Sequence, residues 1–169
     1  MTYDGTRNLI LLWGGLGGQD PCDLLSDTWT WNGLSWTRQN PSGSPPPANY
    51  PNIAYDATHG LVVLFIVGQT WTWDGVTWMQ RHPSVSPPAR GDGAMVFDAG
   101  TGKIVLFSGI STPNDTWSWD GTTWTKQTPS TAPLGRWQAA ATYDANTQTF
   151  FVFGGQPYSG PDFNDTWTY

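Results

Sequence analysis

The pattern Trp-x-Trp-(Asn/Asp)-Gly-x-x-Trp occurs at residues 29–36, 71–78 and 117–124, and a further copy opens at Trp167-Thr168-Tyr169. A second anchor, an aromatic followed by Asp, stands at Tyr3-Asp4, Tyr55-Asp56, Phe97-Asp98 and Tyr143-Asp144. The last Trp of each pattern and the next aromatic anchor keep one spacing throughout: 36 to 55, 78 to 97, 124 to 143. Self-similarity at this period means one supersecondary unit repeated and stacked, each copy burying its apolar face on the next.

Each repeat holds four strand-like runs, a to d. Strand a ends at the aromatic-Asp anchor. Strand b is continuously apolar: Leu9 to Trp13, Leu61 to Phe65, Ile104 to Phe107 and Phe150 to Phe153. Unbroken apolar strands are covered on both faces. Strands c and d flank Asn-Gly or Asp-Gly, the strongest short hairpin signal. A two-residue turn there sets Trp71 opposite Trp78 and Trp73 opposite Val76, with Trp29–Trp36 and Trp117–Trp124 as the equivalent pairs, and leaves Thr72 and Thr77 on the other face. After strand b comes a Gly pair in two repeats, Gly14-Gly15 and Gly154-Gly155; it is Ser108-Gly109 in the third and lost as Ile66-Val67 in the second.

Composition agrees. All 13 acidic residues are Asp, Lys occurs only at 103 and 126, and charged residues make up 12%, so the residues that build surface helices are scarce. Thr, Val, Tyr and the 12 Trp favour strands. Although Gly (20) and Pro (14) are abundant, the 38% of hydrophobic residues supply a core that a disordered chain lacks. A small four-stranded sheet, apolar on both faces and repeated, is a β-propeller blade. The fold class expected is therefore all-β, four consecutive blades at 1–39, 49–81, 91–127 and 137–169, comprising fifteen strands, the last blade lacking strand d. Met1 aligns with Ile53, Met95 and Ala141 inside strand a. That register reads as a piece of a longer chain; a four-bladed ring, or two chains completing one ring, are the alternatives.

The Gly pairs, the Trp a dozen or more residues later and the run Pro87-Pro88-Ala89-Arg90 resemble kelch repeats, in the style of Trp-rich bacterial kelch proteins and the kelch-type propeller domain of galactose oxidase. The resemblance covers essentially the whole chain. It implies a kelch-type propeller but no single function, because one fold hosts many.

Propeller topology puts the a–b and c–d turns on one face and the b–c and d–a connections on the other. Variable loops on a rigid scaffold are where binding sits. The b–c loops run roughly over 16–26, 110–114 and 156–164; the d–a loops, such as 40–48 and 82–89, are Pro-rich. Candidate ligand-face residues are Tyr50, Arg90, Arg136, Trp137, Tyr158 and Phe163. The two Arg hold equivalent positions and suit a carboxylate or peptide carbonyls. Their repeats also carry Asp115 and Asp165, whereas the second repeat has Ala48 for the Arg and Gln69 for the Asp. This joint loss points to structural Arg90–Asp115 and Arg136–Asp165 pairs, although general degeneration of the second repeat accounts for it as well.

No catalytic or metal constellation emerges. Galactose oxidase-like proteins hold copper with two His and two Tyr, one Tyr crosslinked to Cys. Here His59 lies in an a–b turn and His82 opens a d–a loop on the opposite face, and Cys22 stands in a b–c loop with no motif around it. The absence of Glu argues against a Glu/Asp/His iron site. Asp20, Asp23 and Asp27 lack EF-hand spacing and read as a solvated acidic loop. No cofactor is expected. The net charge of -6 disfavours nucleic acid, and no apolar run is long enough to span a membrane as a helix. No signal peptide is read at the N-terminus; the Thr/Trp-rich acidic composition is compatible with a secreted or surface protein. The expectation is a non-catalytic binding or scaffold module for a protein or carbohydrate ligand. The alternative is the propeller body of a galactose oxidase-like or other sugar-processing enzyme whose active residues lie outside residues 1–169.

Overall fold

The computed structural model describes residues 1–18, 23–110 and 114–169. Among them there are fifteen strands and no helix. The first sheet contains β1 (Thr2–Asp4), β2 (Leu9–Leu16), β3 (Leu24–Trp31) and β4 (Trp36–Gln39); the second β5 (Asn52–Asp56), β6 (Leu61–Ile66), β7 (Gln69–Trp73) and β8 (Trp78–Arg81). The third holds β9 (Ala94–Asp98), β10 (Lys103–Phe107), β11 (Thr116–Trp119) and β12 (Trp124–Gln127); the fourth has three strands, β13 (Ala140–Asp144), β14 (Thr149–Phe153) and β15 (Thr166–Thr168). Every pairing is antiparallel and sequential, so each sheet is an up-and-down meander. The four sheets are arranged as the blades of a β-propeller. The inner strands β1, β5, β9 and β13 lie side by side in that order, and no Cα of β13 comes within 8 Å of β1. Together they line an axial cavity of about 590 Å³ that includes Tyr3, Tyr55, Phe97 and Tyr143.

Three apolar clusters hold the blades face to face. The first joins Leu11 and Trp13 to Val62, Leu64, Ile66, Trp73 and Trp78. The second joins Val63 and Phe65 to Ile104, Leu106, Trp117, Trp119 and Trp124. The third joins Val105 and Phe107 to Phe150 and Val152, with Trp167 packed alongside. At each of the three junctions the Trp face of one blade is set on the face of the preceding blade that carries Thr and Phe, with Trp13 in the place of Phe in blade 1. The contact includes a repeated hydrogen bond: Trp78 Nε1 donates to Thr28 Oγ1 (2.9 Å) and Trp124 Nε1 to Thr70 Oγ1 (2.8 Å). Val62 to Ile66 are essentially without exposure because blade 2 is covered on both sides, which is why strand b reads as unbroken apolar sequence.

The hairpin register differs from the expected one. Trp31 pairs with Trp36, Trp73 with Trp78 and Trp119 with Trp124; Trp71 sits opposite Gln80 instead. The connection is a four-residue loop, not a two-residue turn. Asp74 Oδ1 accepts from the amides of Val76 and Thr77 (both 2.8 Å), and Asn32 and Asp120 do the same in their repeats. The side chain therefore closes the loop through its own cap, an option open to Asn and Asp and not exploited by the two-residue Asn-Gly turn. The resulting Trp pairs stack tilted, with ring centroids 5.4 to 5.5 Å apart. At the other turns, Arg7, His59, Thr101 and Thr147 each return to the Asp three residues earlier. Arg7 also reaches the carbonyls of Gly60 and Asp74 in the next blade, locking the turn face.

Candidate functional site: a notch on the loop face

On the opposite face the four b–c connections are unequal. Blades 3 and 4 leave strand b through left-handed pairs, Ser108-Gly109 and Gly154-Gly155, and in blade 1 the pair Gly14-Gly15 forms a bulge inside β2; all three lead into longer loops. In blade 2 β6 runs on through Ile66 and turns at once on Val67 (φ 51°) and Gly68 (φ 75°) into β7. Two positive φ values form the tight hairpin that matches strand twist. Beside this short turn lies a shallow, open notch of about 370 Å³ whose lining mixes Ala48, Val67 and Ile110 with Asn49, Tyr50 and Arg90. Tyr50 and Val67 are exposed on its rim.

Tyr50 belongs to a ring of equivalent residues at the entry to strand a: Tyr50 (φ 59°), Asp92 (φ 52°) and Gln138 (φ 55°), all left-handed without being glycine. Backbone hydrogen bonds link them from blade to blade, Asp92 N to Tyr50 O (3.1 Å) and Gln138 N to Asp92 O (3.0 Å). Side chains in this conformation store strain of about 1–3 kcal/mol each and persist where surroundings impose it. Asp92 Oδ2 is buried with no hydrogen-bond partner among the described residues. Burial pushes the Asp92 carboxyl up from its ordinary value, opposed by a bond from Gln138.

The two arginines are turned inward. Arg90 is buried and gives Nη1 and Nη2 to the two carboxylate oxygens of Asp115 (2.5 and 3.1 Å), Nη1 to Ser108 O (3.3 Å) and Nε to Pro88 O (3.2 Å). Arg136 repeats the arrangement with Asp165 (2.5 and 3.1 Å), Gly154 O and Leu134 O. Each Asp also accepts the indole N–H of the Trp two residues on, Trp117 (2.8 Å) and Trp167 (2.7 Å). The unit ties the entry of strand a to the start of strand c within one blade. In blade 1 Asp27 holds Trp29 (2.7 Å), and in blade 2 Gln69 holds Trp71 (3.0 Å) where Ala48 stands for the Arg. Burial raises the Asp115 carboxyl, but the bonds from Arg90 and Trp117 outweigh it and the net shift is downward. The Arg136 hydrogen bonds bring Asp165 to about 2.

The remaining candidates lie over blades 3 and 4. Phe163 is covered by the Arg136 guanidinium, 4.1 Å from its ring centre. Trp137 is half-buried and pairs through its backbone with Gln156. Tyr158 is exposed and donates to Gly109 O (2.9 Å), reaching across from the blade 4 loop to blade 3. Tyr50 and Tyr158 are therefore the aromatics that present surface on this face, whereas Arg90, Arg136 and Phe163 spend their polar edges and ring within the fold. Asp20 and Cys22 lie outside the described residues. Asp23 and Asp27 are on the loop face, and among the described residues no three His, Cys, Asp or Glu side chains gather to hold a metal.

No protein-family model matches the chain, and no curated protein matches it. Among solved structures, one titled "Structure of YjhT" superposes with a TM-score of 0.61 at 12% identity, over 83% of this chain. The chain spans about half of that protein's length, 48%. At this identity the likeness supports the propeller fold alone. The notch and the left-handed ring are features that sequence reading passed over. Their signals were there: Val67-Gly68 following an apolar run is a hairpin turn displaced by one residue, and Asp92 stands between two glycines.

Proposed function

We propose that this chain is a non-catalytic binding or scaffold module of the kelch type, and that its ligand, a protein segment or a carbohydrate, sits in the loop-face notch over blade 2. The observation that carries the reading is the notch itself, where one of four repeats gives up its loop beside a shallow trough of mixed apolar and polar lining under an exposed Tyr50. Depressions that combine apolar walls with a few polar groups are where ligands bind. Tyr supplies a flat amphipathic surface at low entropic cost, and Tyr158 extends that surface toward blade 4. Arg90 and Arg136 act as supports that hold the loop entries in place. Screening glycan and peptide arrays with the intact chain, then mapping any hit by NMR shift changes, tests this. Perturbations centred on Tyr50, Val67 and Ile110, with roughly tenfold weaker binding in Tyr50→Ala, are expected on hot-spot behaviour. Perturbations confined to the turn face, or a hit indifferent to Tyr50→Ala, would contradict it.

A further inference from the structure

Three hairpins of the turn face share one loop, and the residue that closes it is Asn32 in blade 1 where blades 2 and 3 have Asp74 and Asp120. Asn32 Oδ1 accepts from the amides of Leu34 and Ser35, both at 2.9 Å, as the two Asp do from the equivalent amides. The side chain is therefore folded forward over the loop that carries the Gly33 amide. Asn32 is followed by Gly, as no other Asn in the chain is. Gly33 has no Cβ to hinder an approach to its nitrogen. Among the described residues neither Gly33 N nor Asn32 Nδ2 makes a hydrogen bond, and both residues are exposed. This exposure belongs to the hairpin and not to the place of blade 1 in the row: Asp74 and Val76 are exposed too, with a blade on either side of theirs.

We infer that Asn32 is a self-modifying site: the Gly33 nitrogen attacks Asn32 Cγ, and the loop converts its own neutral cap into the carboxylate that the other repeats carry. The reaction consumes water and releases ammonia. Gly33 N gives up its proton and bonds to Cγ, while Asn32 Nδ2 takes up a proton and leaves as ammonia, so that a five-membered imide remains. Water then adds at Cγ, the new C–N bond breaks and position 32 carries Asp. Addition at the main-chain carbonyl gives isoaspartate instead. Negative charge develops on Oδ1 during the attack. The Leu34 and Ser35 amides already stand 2.9 Å from that oxygen, inside the range of about 2.7–3.1 Å at which backbone donors stabilise an oxyanion. The same amides favour the product, because a hydrogen bond to a charged acceptor is roughly twice as strong as a neutral one. The equivalent loops show this: the Thr77 and Val76 amides hold the Asp74 carboxyl below its ordinary value, and those of Thr123 and Thr122 do the same for Asp120. Isoaspartate lengthens the main chain inside a four-residue loop and is at odds with the pairing of Trp31 with Trp36. The new charge lies on the turn face, so the inference is independent of the loop-face ligand.

The test is an ageing experiment on the intact chain at mildly alkaline pH, native in one arm and unfolded in urea in the other, read by peptide mapping with mass spectrometry. Asn32 is expected to convert ahead of every other Asn in both arms. Because the two amides are in place only in the folded loop, the ratio of native to unfolded rate at Asn32 is expected to be unity or above. A ratio below unity would overturn the inference, since the fold would then shield the site, and so would an Asn32 that converts no faster than the other Asn. The product is tested separately with Asn32→Asp, which needs no ageing. Its melting temperature is expected to equal or exceed that of the wild type, and a lower one would show that the loop rejects the carboxylate.

Discussion

The Arg–Asp–Trp unit is the most consequential arrangement at the residue scale. Arg90 is buried and cannot lose its proton, so its desolvation is offset only through Asp115, Ser108 and Pro88. Removing either partner leaves the other buried and unpaired. Arg90→Met is expected to cost about 3–5 kcal/mol, with much of that restored in the Arg90→Met/Asp115→Leu double variant. A denaturant-derived double-mutant cycle should give a coupling above about 0.5 kcal/mol, and a value near zero would mean the pair is incidental. In the equivalent unit the bound Arg136 holds Asp165 at about 2, below its ordinary 3.8. A depressed carboxylate contributes stability that is present above 3.8 and is lost as pH falls toward about 2. The melting temperature of Asp165→Asn should therefore fall less steeply than the wild type's through that window; parallel slopes would contradict the assignment. Asp92 has the opposite sign. Its carboxyl is raised, so ionisation costs stability at neutral pH, and that cost is relieved as pH falls through the raised value.

At the scale of the element, much was legible because it is written in period and repetition. Four strands in each of the first three repeats and three in the last, the continuous apolar strand b and the division into turn and loop faces all follow from residue spacing and appear in the structure. The hairpin register was not, because Asp-Gly is compatible with two loop lengths and the choice rests on the carboxylate cap of Asp74, a side-chain contact invisible to pattern. The loop-face ring was hidden for a similar reason. Tyr50, Asp92 and Gln138 share a backbone conformation and no chemistry, so their equivalence emerges only from φ. The turn of blade 2 allows a direct check. Val67 is β-branched and holds φ 51° in a two-residue hairpin whose first position favours Asn. Val67→Asn is expected to stabilise the chain by about 1 kcal/mol, seen as a higher denaturation midpoint with an unchanged m-value. A lower midpoint would show that Val67 contributes packing in the notch that outweighs its strain.

For the whole molecule, stability is distributed unevenly along the arc. Blades 2 and 3 are covered on both faces by three apolar clusters, while blades 1 and 4 are covered on one. Repeat architectures sum intrinsic blade terms and nearest-neighbour interfaces, so the outer blades should open more readily than the middle ones. The same asymmetry leaves Trp36 and Phe153 in solvent and places the notch over a well-supported blade, which suits a rigid binding surface. The measurement that tests this account most directly is native-state hydrogen exchange, residue by residue, at a concentration where the chain is monomeric. Amides of β6, β7, β10 and β11 should exchange slowest, with β2 and β14 several-fold faster and β1 and β15 fastest. Equal protection across all four blades would contradict it, because blade 4 would then have to be packed against blade 1.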